Sequence, residues 1–210
     1  MIKLDKTVVM NEENAIRGMR NAMNSWDKSD SRYNWNTCSY YIGSNDLALA
    51  RRLVKAGSDH RKFLRQFLVS VDITAPLYWW KEFDTYKVGT VANSCSTMHK
   101  IQAKEFTRDD FSCEKMSEEG LKVLDLVIAF MESERLKFIE TKDKTHWHNM
   151  IQILPTSYNQ MRTVSLNYEV LLNIHRSRRH HKLDEWHIVC EWIEKLPYFK
   201  EMCLDGECNE

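Results

Sequence analysis

The alternation of apolar and polar residues is sharpest over 67–73, where Phe67, Val69, Val71 and Ile73 occupy every second position. A period of two puts successive side chains on opposite faces, so this stretch reads as a strand with one buried face. Ala75-Pro76 follows it. Proline needs no amide donor at the start of a helix, so a short helix is expected from Pro76 to about Asp84, with a loop over 85–99. Elsewhere the helical period dominates. Ile16, Met19, Met23 and Trp26 recur at spacings of three and four, which predicts an amphipathic helix over 13–26 and then a polar loop to Asn36. A second helix is expected from Ser44, a cap candidate, through Leu47, Ala50, Leu53 and Val54 to Gly57, with Ser58 placed to cap another. Ser117, Glu118 and Glu119 open a long helix whose apolar face carries Leu121, Leu124, Ile128, Met131 and Phe138. Leu154-Pro155 reads as the start of a further helix running through Val164, Leu171 and Leu172 towards Arg178. A last helix carries Trp186, Val189, Ile193 and Leu196 and stops at Pro197.

Composition narrows the class. Six glycines and three prolines in 210 residues argue against a turn-dense sandwich or barrel, so helix should dominate a single domain over 1–210. Thirty basic residues balance thirty acidic ones, so neither nucleic acid nor a membrane surface is an expected partner. No apolar run suits a signal peptide or a bilayer span, which makes a cytoplasmic location the expectation. Reduced thiols are then expected at Cys38, Cys95, Cys113, Cys190, Cys203 and Cys208, with an oxidised Cys203–Cys208 pair as the minor alternative.

Candidate chemistry is sparse. His146-Trp147-His148 and His180-His181 have no cysteine or carboxylate at ligand spacing, so no metal site is expected. Tyr78-Trp79-Trp80 reads as core or subunit interface before it reads as a stacking platform. Nothing beside Cys95 in sequence supplies a base, and a buried or idle thiol is expected there. Residues 175–182, His-Arg-Ser-Arg-Arg-His-His-Lys, form the densest positive run. They are either a solvated helix end that complements the helix dipole or a phosphate site, and composition leaves both open.

Two stretches point further. Residues 75–91, directly after the predicted strand, resemble the signature region of the flavin-dependent thymidylate synthases. That family has a strand, Ala-Pro, a short helix, glutamine, two residues, Arg-His-Arg, and a loop with serine, glutamate, arginine and tyrosine. Glu82 stands at the glutamine, Thr85, Tyr86 and Lys87 at Arg-His-Arg, Thr90 at a small polar position and Asn93 at the glutamate. Cys95, Thr97 and Met98 fall on the serine, an arginine and the tyrosine. Leu154-Pro155, Asn167, Glu169, Asn173 and Arg178 then follow the spacing of the family's Leu-Pro, asparagine, arginine, asparagine and arginine, with charge reversed at Glu169. The matched stretches, 67–98 and 154–186, cover roughly a third of the chain.

The resemblance implies an α+β fold, helix-rich with a central antiparallel or mixed sheet, assembled as a homotetramer with sites between subunits. It implies a FAD-dependent methyltransferase in which reduced flavin delivers hydride to deoxyuridine monophosphate (dUMP), methylenetetrahydrofolate supplies the carbon and NADPH regenerates the flavin. In that scheme Arg178 is catalytic and substrate-binding, and Lys87, Thr85 and Tyr86 bind the substrate. Asn167, Asn173, Glu82 and Asn93 line the cofactor. Only Lys87 keeps a positive charge at Arg-His-Arg, so flavin is expected to bind more weakly than in the family. Function resides in the site, and a second expectation stands beside the first: a non-catalytic nucleotide-binding or structural protein that kept the scaffold and lost flavin.

Overall fold

The structure, a computed structural model, describes residues 2–205, so Cys208 and its possible pairing with Cys203 lie outside the described residues. The elements run β1 (Lys3–Met10), α1 (Glu12–Met19), β2 (Arg32–Asn34), β3 (Ser39–Tyr41), α2 (Ser44–Lys55), β4 (Leu68–Pro76) and α3 (Leu77–Phe83). They continue with β5 (Val91–Ser94), α4 (Thr97–Lys100), α5 (Glu118–Thr141), α6 (Lys144–Ile153), β6 (Asn159–Asn167), α7 (Tyr168–Arg178), α8 (Asp184–Glu194) and α9 (Phe199–Cys203). An antiparallel sheet in the order β1-β4-β6-β5 and a small β2-β3 hairpin make the fold α+β and helix-rich. No helix among the described residues is long and apolar enough to cross a membrane.

The predicted strand is present as β4, and its alternation is its burial: Phe67, Val69, Val71 and Ile73 are all inside. Contacts divide the chain into two compact units. The first comprises Ile2 and Lys3, Asp72–Thr85 and Ala92–Thr163. Its core packs Ile101, Phe106, Phe111, Leu124, Met131 and Met150, with Val127, Ile128, Phe138 and Trp147 around them, so the expected apolar face of α5 is met by α6. Ser117 caps α5 through its side chain, which accepts from the Gly120 amide. Trp79 and Trp80 are buried in this unit, as core reading requires, and the Trp80 indole donates to the Gln160 carbonyl.

Glu134 is the most deeply buried charge among the described residues of the first unit. Its carboxylate accepts from Lys137, Asn149 and His146, and these bonds hold its pKa at about 2, below the ordinary 4.5. Helix packing thus brings a carboxylate to His146 that sequence spacing did not show, yet the Lys137 ammonium beside it opposes a cation. A group with a depressed folded pKa stabilises the protein above the unfolded value and loses that contribution as pH falls through the folded one. Stability should therefore decline between pH 4.5 and about 2, and Glu134→Gln should flatten that decline. Urea unfolding of both proteins at pH 6 and pH 3 checks this, and an equally steep loss in the variant would refute it.

The second unit comprises Leu4–Val71, Tyr86–Val91 and the described chain from Val164 to Asp205. Tyr168 is at its centre, stacked on Phe67 at 4.9 Å, edge-on to Phe199 at 5.2 Å, and donating its hydroxyl to the Pro197 carbonyl. Gly57 ends α2 at φ +105°, as its missing side chain suggested. The cap of α2 is not Ser44 itself. Asp30 reaches in from the preceding loop to accept from the Asn45 and Asp46 amides.

Several expectations fail for physical reasons. The helix predicted over 13–26 stops at Met19, because Arg20 turns inward to a buried bond with Asp46 and Asn24 adopts a left-handed φ of 46°. Met23 and Trp26 are consequently exposed. No helix starts at Leu154-Pro155. The Tyr158 amide closes a turn onto the Pro155 carbonyl, and the chain then extends as β6 before α7 begins at Tyr168. Gln160 and Arg162 replace apolar residues on alternate β6 positions, which hides its two-residue period. The expected loop over 85–99 contains β5 and α4, and the polar loop to Asn36 contains β2. Strands β1 and β5 are edges of the sheet and mostly exposed, so they carry little hydrophobic pattern. Ser58 lies in a turn before a 3-10 segment, Lys62–Gln66, and caps nothing; the helix carrying Trp186, Val189 and Ile193 does end ahead of Pro197, at Glu194, but a further short helix, α9, follows it.

Candidate functional site

In the second unit residues 86–91 of the motif loop meet helix α7. Residues 86–91 lie along α7, touching its first turn at one end and its last at the other. At the first turn Gly89 has φ +76°, and a Cβ there would stand 2.9 Å from Asn167 Nδ2 and 3.4 Å from Val170 Cγ2. Only glycine accommodates both the conformation and the approach. Asn167 is buried and caps α7, its Oδ1 accepting from the Val170 amide at 3.1 Å. Thr90, next to Gly89, has a buried hydroxyl with no hydrogen-bond partner among the described residues.

At the last turn of α7, Arg178 Nε donates to the Tyr86 hydroxyl oxygen at 3.0 Å. Its guanidinium carbon lies 4.8 Å over the Trp186 ring and 5.7 Å from the Tyr86 ring, and those two rings meet edge to face at 6.1 Å. A cation on aromatic faces is stabilised by the ring quadrupole, by about 0.5 to 2 kcal/mol depending on desolvation. Arg178 is thus half-buried rather than a solvated helix end. The rest of the basic run behaves differently. His175 is buried and bonded to Glu194 on α8, whereas Arg176, Arg179, His180 and Lys182 are exposed. His181 packs edge-on to Trp186 at 6.3 Å and accepts from the Leu183 amide.

Glu169 explains its own charge reversal. It is buried and forms a two-pronged pair with Arg61, through Nε at 2.9 Å and Nη2 at 3.1 Å. The negative charge is neutralised inside the unit and is not presented to a ligand. Sequence reasoning missed both Arg61 and Trp186. Arg61 sits 108 residues from its partner, and Trp186 is one more apolar position in the period of α8. Asn173 and Lys87 are exposed, the latter on the turn closed by the Thr90 amide onto its carbonyl.

The remaining predicted residues belong to the first unit. Glu82 is half-buried near the end of α3, where its carbonyl accepts from both the amide and the hydroxyl of Thr85. Asn93 is exposed on β5. Cys95 is an exposed free thiol, not a buried one, and its amide pairs with the Met161 carbonyl. Among the described residues no three histidines, cysteines or carboxylates converge as metal ligands.

No protein-family model matches the sequence, and no curated protein does. Solved structures do. Thymidylate synthase X (ThyX) from Helicobacter pylori, solved with FAD and dUMP, superposes with a TM-score of 0.69 over 98% of this chain and 98% of its own, at 16% identity. The chain has the thymidylate synthase X fold. The UMP/dUMP methylase PolB from Streptomyces cacaoi, solved with 5-Br dUMP, matches at TM-score 0.62 over 98% of this chain and 94% of its own, at 13% identity. At these identities the likeness is one of fold, and the α+β architecture expected from the two motif stretches is the one found.

Proposed function

We propose that this chain binds a pyrimidine nucleoside monophosphate of the dUMP class, with Arg178 as the group that recognises it. The observation that carries this reading is the seating of Arg178 between Tyr86 and Trp186 in a chain of thymidylate synthase X fold. A planar guanidinium offers paired donors to a planar base or a phosphate, which lysine cannot copy. The exposed ammonium of Lys87, adjacent to Tyr86, suits a phosphate, and the unpartnered Thr90 hydroxyl is a donor that a ligand can satisfy. Tyr86 stands on the substrate side of this reading through its bond to Arg178. Structure neighbours solved with dUMP or its bromo analogue add support at the level of the fold.

FAD carries two phosphates, and the residues at the Arg-His-Arg positions do not fit it in the family's manner. Thr85 donates to the Glu82 carbonyl, Tyr86 accepts from Arg178, and Lys87 alone of the three is charged. Methyl transfer of the thymidylate synthase type is a second reading, favoured by Asn167 and Asn173 keeping the family spacing. It requires FAD held mainly by residues other than 85–87, with NADPH and methylenetetrahydrofolate as co-reactants.

The proposal extends to a cytoplasmic homo-oligomer, a tetramer by the family resemblance. Helix α5 leaves Val123, Leu126, Phe130 and Leu136 exposed while Leu124 and Met131 are buried, and an apolar side of this kind suits a second copy.

Calorimetric titration tests the nucleotide reading, with dUMP and UMP binding expected and binding of neither overturning it. Each lost charge-assisted contact weakens a complex by about 1.5 to 3 kcal/mol, so two lost arginines should reduce FAD affinity at least about a hundredfold below that of the Helicobacter pylori protein. The purified protein should accordingly be colourless, and stoichiometric flavin retained through purification would show the cofactor inference to be wrong.

A further inference from the structure

Arginine near a helix end ordinarily samples many rotamers, and a guanidinium that meets a planar ligand gives up that freedom on binding unless it is held beforehand. Arg178 is held from two sides. The Tyr86 hydroxyl oxygen takes its Nε–H at 3.0 Å, which orients the guanidinium about its long axis, and the Trp186 ring backs its face at 4.8 Å. The holders are themselves fixed. Trp186 is fully buried on α8, and Tyr86 begins the loop whose course is set at its other end by the approach of Gly89 to Asn167. The edge-to-face contact of Tyr86 with Trp186 at 6.1 Å closes the set, so each side chain restrains the other two.

The geometry points to Tyr86 and Trp186 as positioning residues for Arg178, holding its guanidinium in the orientation that a pyrimidine nucleotide meets. This rests on the nucleotide reading and gives Tyr86 a role its sequence position did not suggest. Instead of binding substrate as a motif hydroxyl, it acts through the arginine. Preorganisation of this kind strengthens binding by removing an ordering cost, without adding a contact to the ligand.

The test uses Tyr86→Phe, which removes the hydroxyl and keeps the ring, Arg178→Lys, which removes the Nε–H, and the double variant. In the nucleotide-free wild type, the side-chain Nε–H signal of Arg178 in a nitrogen-15 NMR spectrum should be ordered and ring-current shifted. It should become mobile in Tyr86→Phe. The affinity for dUMP should fall about tenfold in Tyr86→Phe, the loss of one hydrogen bond's positioning, while the unfolding temperature stays close to wild type. In the Arg178→Lys background the same change should cost nothing further, since the two side chains act as one unit. Wild-type affinity in Tyr86→Phe, or an equal fold-loss in both backgrounds, would overturn the positioning role, as would an Arg178 Nε–H as mobile as those of exposed arginines. A wild type that binds neither dUMP nor UMP overturns the nucleotide reading instead. The NMR arm then judges the restraint of Arg178 alone, upheld if Tyr86→Phe frees the signal and rejected if it does not.

Discussion

Arg61→Ala should destabilise the protein by about 3 to 5 kcal/mol, because it leaves the Glu169 carboxylate charged and without its buried partner. Both side chains of the pair are about 10% exposed, and the two bonds of the guanidinium satisfy the carboxylate in full fork geometry. Removing both charges together, as in Arg61→Met with Glu169→Leu, should cost far less, since a buried ion pair replaced by apolar residues of similar volume is often close to neutral. Placing the family's arginine at this position, Glu169→Arg, should be worse than the alanine change at 61, because it sets two guanidiniums against each other in the interior. Urea unfolding of the three variants beside the wild type measures the series. An Arg61→Ala loss below about 1 kcal/mol would mean that the pair is not the buried, mutually dependent unit seen here. The charge reversal at 169 is thus balanced by Arg61 within the unit.

Arg178→Ala should weaken dUMP binding by about 2 to 4 kcal/mol, roughly 30-fold to 1,000-fold, because a desolvated charge-assisted contact is lost together with its geometry. Arg178→Lys should lose most of that affinity although the charge is kept, for an ammonium neither stacks flat on Trp186 nor forks to a ligand. Calorimetry on both variants, beside a wild type shown to bind, separates this from a purely structural arginine. In the structural case affinity is unchanged and only stability moves, by the modest amount that a cation on aromatic rings supplies. Unchanged dUMP affinity in Arg178→Ala would remove the nucleotide site at its strongest point.

What could be read directly from the chain was local. The two-residue period of 67–73, the long α5 behind its Ser117 cap, and the Gly57 terminus of α2 are each decided by neighbours within a few residues, so they were legible. Asn167, Asn173 and Arg178 stood at family spacing because one helix, α7, carries two of them and is capped by the third. Burial that depends on distant partners was illegible. Arg20 ends α1 early because Asp46 draws it inward, β6 hides its period behind Gln160 and Arg162, and edge strands β1 and β5 bury too little to show a pattern. Arg61 with Glu169, Tyr86 and Trp186 with Arg178, and His146 with Glu134 are meetings of residues 8 to 108 positions apart. Side-chain chemistry named these residues as candidates or passed them over, but only tertiary packing decided which charges were neutralised and which guanidinium was held, because electrostatic pairing acts through space rather than along the chain.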